Sequence, residues 1–438
     1  MPVVSPERVR RFTYLGCAID RASHSLTCRY RSGDDEFVEH AAFGDDVDLG
    51  AGGVGAAATL YFVLAGLSYY KTGAAHEVDL GDTSAGPALR ALLRAALLDG
   101  LGEFAYRNDL SLDDVAIVGG TPSSVAGIAA PRRGPLVPFG GGIDSIVVAS
   151  SDPRDDRALF VVSAADQRFE AIERPAGLTG LPIVRCTRTI DPGVRRGSSR
   201  WFDGHVPVTA MVSALATVAA VGQGRDSVVM SNERSASAPN LEADGRRVNH
   251  QWSKSLECEE LFRAALAESL SPAPEYASAL RDRSELWVAR EFSRHPEYLG
   301  TFMSCNRAFR QDPAARASTW CGACDKCLFT DLVLGPFVDR KTLEQVFGGA
   351  EPIADPASVP ALEVLAGVVD NPKPFECVGD PTECATAVVA VAARPDRADQ
   401  PHLAELAARC RRARPLDELL APFGPTNSTV LDAARPLV

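Results

Sequence analysis

The sequence predicts an α/β protein: a parallel sheet flanked by helices, preceded by an N-terminal α+β unit and followed by a helical C-terminal region. Three observations predict it. From position 136 onward, short apolar runs at 159–163, 182–186 and 227–231 alternate with helical stretches such as 206–221. Alternation of this kind marks a parallel sheet covered by helices. Upstream, residues 11–18, 25–30 and 36–42 alternate apolar and polar side chains with the period of two expected of an antiparallel meander. Downstream of 338 the chain turns Ala-rich, with helical runs at 340–347, 359–369, 383–393 and 402–412.

The N-terminal unit spans 1–130. After the meander come an apolar, Gly/Ala-rich helix at 54–70 and a second helix at 84–105, and the unit shows no catalytic constellation. Residues 119–133, rich in Gly, Pro and Ser, read as a linker or ordered loop. The second unit, 131–337, holds the alternating strands and a cysteine cluster. The third, 338–438, reads as a cap, a lid or an interaction domain, interrupted at 372–379 by the rigid polar loop Pro-Lys-Pro-Phe-Glu-Cys-Val-Gly.

Composition narrows the function classes. With 46% apolar and 23% charged residues the chain can bury a sizeable core. A net charge of −12 argues against a nucleic-acid-binding surface spread over the molecule. Residues 1–11 carry no positive-then-apolar targeting pattern, and the apolar windows are too short and polar to span a bilayer. A cytoplasmic protein without a membrane partner is expected. A reducing compartment disfavours disulfides, so of the eleven cysteines most of the scattered ones, Cys17, Cys28, Cys186, Cys258 and Cys410, are expected to be buried free thiols.

The chemistry starts at Val137-Pro138-Phe139-Gly140-Gly141-Gly142-Ile143-Asp144-Ser145. An apolar strand drops into three glycines and a helix begins at Asp144 and Ser145. There, free N–H groups and the helix dipole favour an anion. The stretch resembles the Ser-Gly-Gly-x-Asp-Ser loop of the PP-loop ATP pyrophosphatases, with Gly140 in the first Ser position. It is not a Walker A loop, because no Gly-Lys-Ser/Thr follows. The resemblance implies ATP cleaved to AMP and pyrophosphate, with Asp144 orienting Mg2+ or the triphosphate.

In a parallel sheet, ligands bind at the carboxyl ends of strands. Ser231-Asn232-Glu233-Arg234-Ser235-Ala236-Ser237 follows such an end, and Asn249-His250-Gln251-Trp252-Ser253-Lys254-Ser255 comes soon after. The second segment offers a base in His250 and a cation in Lys254, and histidine suits proton transfer near neutral pH. Cys305, Cys321, Cys324 and Cys327 have the spacing of a structural zinc site with four thiolates. A redox pair, packed thiols or one catalytic cysteine are the alternatives.

The order of these motifs, with Pro374-Phe375-Glu376-Cys377-Val378-Gly379, resembles the UDP-N-acetylmuramoyl-L-alanyl-L-glutamate epimerase family over residues 137–380. That resemblance implies inversion of the terminal L-Glu of UDP-MurNAc-L-Ala-L-Glu through an acyl adenylate, in peptidoglycan precursor synthesis. It also implies a functional partner: a ligase that adds L-Glu to UDP-MurNAc-L-Ala. Gly140, Gly141, Gly142, Asp144 and Ser145 would bind ATP phosphates, and Asn232, Glu233, Arg234 and Ser235 would line the nucleotide or substrate pocket. His250 and Lys254 lead as acid/base or oxyanion groups, with Glu233 and Cys258 next. The alternatives are a 7-cyano-7-deazaguanine synthase-like or tRNA-modifying PP-loop enzyme and, in another class, a non-catalytic ATP-binding scaffold.

Overall fold

Inward-facing aromatic and aliphatic residues at every second position build the first three strands, β1 (Arg11–Asp20), β2 (Ser25–Ser32) and β3 (Asp35–Phe43). Phe12, Tyr14, Leu26, Cys28, Tyr30, Phe37 and Ala41 are all buried, so the period-two pattern is realised as the expected antiparallel meander. This computed structural model describes residues 6–151, 154–164, 167–194, 200–310 and 313–423. The tail of the expected helical C-terminal region, 424–438, lies outside the described residues.

The meander does not stand apart. Further strands follow as β4 (Glu77–Asp79), β5 (Ala116–Val118), β6 (Leu136–Pro138), β7 (Ala158–Ser163), β8 (Ile183–Thr189), β9 (Ser227–Met230) and β10 (Glu275–Ser278). All ten join one sheet in the order β10-β9-β6-β7-β8-β3-β2-β1-β4-β5. Strands β6 to β10 are mutually parallel; β8 and β3 meet antiparallel, with Phe43 opposite Cys186. A buried ion pair crosses this seam. Arg188 on β8 holds both carboxylate oxygens of Glu39 on β3 at 2.9 and 3.0 Å, and the hydroxyls of Tyr61 and Tyr69 also donate to Glu39. The sheet therefore runs unbroken across position 130.

Helices cover both faces, and strand alternation sorts them. Leu136, Phe160, Val228 and Met230 face a core shared with α1 (Val54–Ala65), α3 (Val208–Gln223) and α4 (Leu256–Ser269). Val137, Leu159, Val161 and Val229 face the other core. That core is shared with α2 (Ile143–Ser151), α5 (Glu285–Phe292), α6 (Asp325–Leu334) and the C-terminal helices, including α7 (Pro381–Ala392). The C-terminal region thus packs on the same face as the helix that follows the glycine loop.

The expected helix at 84–105 is broken into Pro87–Ala95, a π turn at Ala96–Gly100 and Gly102–Arg107. Gly100 and Gly102 weaken α propensity here. The break lies beside the site described next. Among the described residues, no helix is long and apolar enough to cross a membrane.

Candidate active site

The strand order reverses between β6 and β9. The chain runs from β6 outward through β7 and β8, then returns to place β9 on the other side of β6. Such a switch point opens a crevice at the carboxyl ends of the two strands. The glycine loop leaves β6 on one side of it, and Ser231 to Glu233 leave β9 on the other.

Gly141 has φ +77, and a Cβ there would lie 2.4 Å from the Ala171 carbonyl oxygen. That carbonyl belongs to a helix, Glu170–Leu178, in which the residue four further on is Pro175, which has no N–H to bond it. Gly140 is unconstrained, with nothing within 4 Å of an added Cβ. Asp144 Oδ1 accepts from the Ser145 N–H at 2.8 Å, and the Ser145 hydroxyl donates to the Gly142 carbonyl at 3.1 Å. The loop is tied to its own helix start.

Across the crevice, Arg281 holds the two polar segments together. It donates to the Glu233 carbonyl at 3.2 Å and the Lys254 carbonyl at 2.9 Å, while Glu259 takes its guanidinium at 2.8 and 3.2 Å. Asn232 is fixed through its N–H, which donates to Ser278 Oγ at 2.7 Å. Burial pushes the Asp144 carboxyl up from its ordinary range and Glu233 adds to this, while Lys254 pulls it down. Burial and the adjacent Glu233 also keep Glu285 well up, so this pair of carboxyls shares the acid side of the pocket.

The polar loop at 372–379 closes over these groups. Asn240 Nδ2 donates to the Pro374 carbonyl at 2.5 Å, Gln251 Nε2 to the Val378 carbonyl at 3.2 Å, and Lys326 Nζ to the Cys377 carbonyl. His250 Nδ1 meets Glu103 Oε2 at 2.5 Å, and the Cys377 side chain acts on the imidazole from the loop. Burial alone would raise the Cys377 thiol, but Lys254, the His250 hydrogen bond and Lys326 bring it down to about 6. Burial likewise works against charge on His250, yet its bonds to Cys377 and Glu103 lift it to about 9. The opposed charge of Cys377 is the main influence raising Lys254, ahead of Glu233 and Asp144. A lysine so surrounded stays an ammonium.

Ligand atoms of Glu103, His205 and His250 lie within 4.8 Å of one another. The two imidazoles are packed ring on ring, with centroids 4.2 Å apart. Within this group, His250 Nδ1 is already hydrogen-bonded to Glu103.

The four sulfurs of Cys305, Cys321, Cys324 and Cys327 cluster within 4.8 Å. Cys327 lies 3.4 Å from Cys324 and 3.7 Å from Cys321. Tetrahedral zinc with bonds of about 2.3 Å places its sulfurs about 3.8 Å apart, so the cluster fits that ion and leaves no position for water. Lys326 sits inside this knuckle, which carries it to the Cys377 carbonyl.

The comparisons with known proteins agree with one another. The MurL N-terminal domain model matches residues 3–279 and the MurL C-terminal domain model residues 301–419. A Micromonospora protein named UDP-N-acetyl-alpha-D-muramoyl-L-alanyl-L-glutamate epimerase is 36% identical over 421 residues, 92% of this chain and 91% of its own. Proteins of the same name from Salinispora tropica and Xanthomonas oryzae pv. oryzae are 42% and 34% identical. They cover 75% and 90% of this chain, and 71% and 88% of their own. The chain belongs to the UDP-N-acetyl-alpha-D-muramoyl-L-alanyl-L-glutamate epimerase family. No solved structure matches it.

The family match reaches further towards the N-terminus than the motifs at 137–380 suggested. From the N-terminal unit, in which the sequence shows no catalytic constellation, Glu103 reaches His250. Of the sequence-predicted residues, Asp144, Glu233 and Lys254 come close enough to act on one another's charge, while His250 pairs with Glu103. Arg234 is not among them: its guanidinium lies over the Phe423 ring at 4.0 Å. Arg234 and Ser235 instead line a neighbouring cleft of about 1040 Å³ with Arg246, Arg247 and Asn249; Asp144, Glu233, His250 and Lys254 do not line it. Cys258 is buried in the core beneath α4, its thiol raised by burial. The sequence did not single out Glu103, Lys326, Arg281 or Cys377 as site residues. The one available signal for Cys377 was its place in a dense polar loop between two prolines and a glycine.

Proposed function

We propose that this chain inverts the terminal L-glutamate of UDP-MurNAc-L-Ala-L-Glu, with ATP as co-substrate and through an acyl adenylate, releasing AMP and pyrophosphate. What carries the reading is the crevice at the strand-order switch. A glycine loop that resembles an ATP-cleaving loop faces, across it, a buried cluster of acid, base and ammonium groups. The substrate class comes from the printed name of the family's relatives.

Adenylation makes chemical sense of an ATP loop on an epimerase. A free carboxylate next to Cα–H would become a dianion on deprotonation. As an acyl adenylate, its carbonyl oxygen can take the enolate charge, and placed donors stabilise it. Gly140, Gly141, Gly142, Asp144 and Ser145 are assigned to the triphosphate, and Mg2+ at Asp144 would screen its charge. Lys254, held as an ammonium, suits the enolate oxygen or proton delivery; His250 and Glu233 complete the acid–base set. Asn232 fixes the pocket wall. Arg234 and Ser235 line the adjoining cleft, whose size suits the nucleotide-sugar portion. The zinc knuckle serves to position Lys326. A ligase adding L-Glu to UDP-MurNAc-L-Ala would supply the substrate.

The test is incubation of the full chain with ATP, Mg2+ and the UDP-muramoyl dipeptide in D2O. Pyrophosphate, D-glutamate and deuterium at Cα should appear together, and only with ATP. Absence of both pyrophosphate and inversion would instead favour a non-catalytic scaffold.

A further inference from the structure

The cleft beside the crevice has the size for the substrate's nucleotide-sugar portion, and its side chains say what would hold it there. We propose that Arg234 and Arg247 grip the diphosphate, which makes this cleft of about 1040 Å³ a nucleoside-diphosphate site. The inference rests on the substrate reading above and deepens it.

The cleft backs onto the segments that carry the reacting groups. Arg281 lines it and donates to the carbonyls of Glu233 and Lys254, so one buried guanidinium ties cleft to crevice. One wall is a two-stranded hairpin, Leu241–Ala243 paired with Arg246–Val248. Asp244 and Gly245 turn it with φ +51 and +73, the left-handed pair that a tight hairpin of this kind requires. The turn delivers Arg246 and Arg247 to the cleft. Arg246 is taken by the N-terminal unit, meeting Asp113 at 2.5 Å and Asp99 at 3.5 Å. Asp99 belongs to the π turn at Ala96–Gly100, a distortion frequent at functional sites. The hairpin is therefore held in place, with Arg247 left over.

Pairing singles out two cations on the wall. Arg281 is held by Glu259, and Arg246 by the two aspartates. Among the described residues, Arg234 and Arg247 are in no ion pair. Arg247 makes one long bond to the Ser237 carbonyl at 3.4 Å, and Arg234 lies over the Phe423 ring at 4.0 Å. Stacking engages the face of a guanidinium and leaves its edge donors for an acceptor. The lining acids are mostly occupied. Glu257 accepts from Trp252 Nε1 at 3.1 Å, Asp282 meets Arg283 at 3.4 Å, and Asp380 caps α7 through the Thr382 and Glu383 N–H groups. Glu260 is exposed and has no such partner among the described residues.

Two planar forks without a carboxylate, on one concave wall, match the paired oxygens of phosphates. Arg234 also lines an adjoining cleft of about 520 Å³, together with Phe423 and Asp380. It thus stands where two cavities meet, as a diphosphate stands between nucleoside and sugar.

The experiment titrates UDP and UMP into the full chain by calorimetry, with ATP and Mg2+ already present to occupy the glycine loop. The parent should bind UDP about 10–100-fold more tightly than UMP, the usual worth of charge-assisted hydrogen bonds to the second phosphate. Arg234→Gln and Arg247→Gln should each shrink that preference, and each should raise KM for UDP-MurNAc-L-Ala-L-Glu by a similar factor. Circular dichroism confirms that the variants fold. A parent that does not bind UDP overturns the proposal. So does an unchanged UDP-to-UMP ratio in either variant, which is also what equal loss of both ligands would give. Binding needs no turnover, so the two readings fail separately. UDP held through both arginines by a chain that never inverts glutamate would refute the epimerase reading alone. Inversion by a chain that ignores UDP would refute the cleft assignment alone.

Discussion

Replacing Gly141 by alanine isolates the glycine loop from the rest of the site. The substitution puts a Cβ 2.4 Å from the Ala171 oxygen, about 1 Å inside ordinary contact at 3.4 Å, on a backbone with φ +77. The positive φ alone costs about 1 kcal/mol. The clash cannot be relieved by a side-chain rotation, because the obstructing atom is a backbone carbonyl in a helix packed on the same core. The loop itself must therefore shift by roughly the missing ångström. Displacement of a reacting group by about 1 Å costs about 10²-fold in rate. Gly141→Ala should thus lower pyrophosphate release about 100-fold, while the melting temperature falls by only a few degrees. Gly140→Ser supplies the contrast: nothing lies within 4 Å of its added Cβ, so it should fold normally and retain pyrophosphate release. Paired calorimetry and a coupled pyrophosphate assay on both variants decide the matter. Parent-like turnover in Gly141→Ala, or collapse in Gly140→Ser alone, would refute the assignment of this loop and its geometry.

Asp144→Ala should abolish AMP formation while the fold survives, checked by chromatography of nucleotides alongside circular dichroism. Elemental analysis should find about one zinc per chain, and Cys321→Ser should lower metal content and stability together. The same variant should slow glutamyl exchange, because the knuckle carries Lys326 to the Cys377 carbonyl. Glu39→Ala leaves Arg188 buried without its carboxylate at the seam between β3 and β8, a loss of about 3–5 kcal/mol; denaturant titration would show it. In the pH profile of inversion, activity should fall through about 9 as His250 loses its charge. A flat profile between pH 7 and 10 would contradict a role for charged His250.

Much of this was legible in the chain. The meander was visible in the alternation of Phe12, Tyr14, Leu26, Cys28 and Tyr30, because side-chain direction in a strand reverses at every residue. The glycine loop and the segment at 231–237 could be placed at strand ends, because each is contiguous and follows an apolar run. The cysteine cluster was visible for the same reason, its last three thiols falling within seven residues. Strand β10 escaped notice, since Glu275-Tyr276-Ala277-Ser278 is short and mostly small or polar. Its burial comes from lying parallel to β9, which no local pattern records.

The sequence by itself determined the α/β class, the elements of the loop and the identity of most groups that could do chemistry. Only the tertiary structure decided which of them meet. Glu103 and His250 are 147 positions apart, and Lys326 and Cys377 are 51 apart. Hydrophobic periodicity and turn residues report local backbone preference, whereas these contacts depend on where a shared sheet sets down segments from opposite ends of the chain. The same holds for charge. A cysteine in a polar loop is an ordinary thiol until folding buries it beside Lys254, His250 and Lys326, where the low dielectric makes each of those cations count.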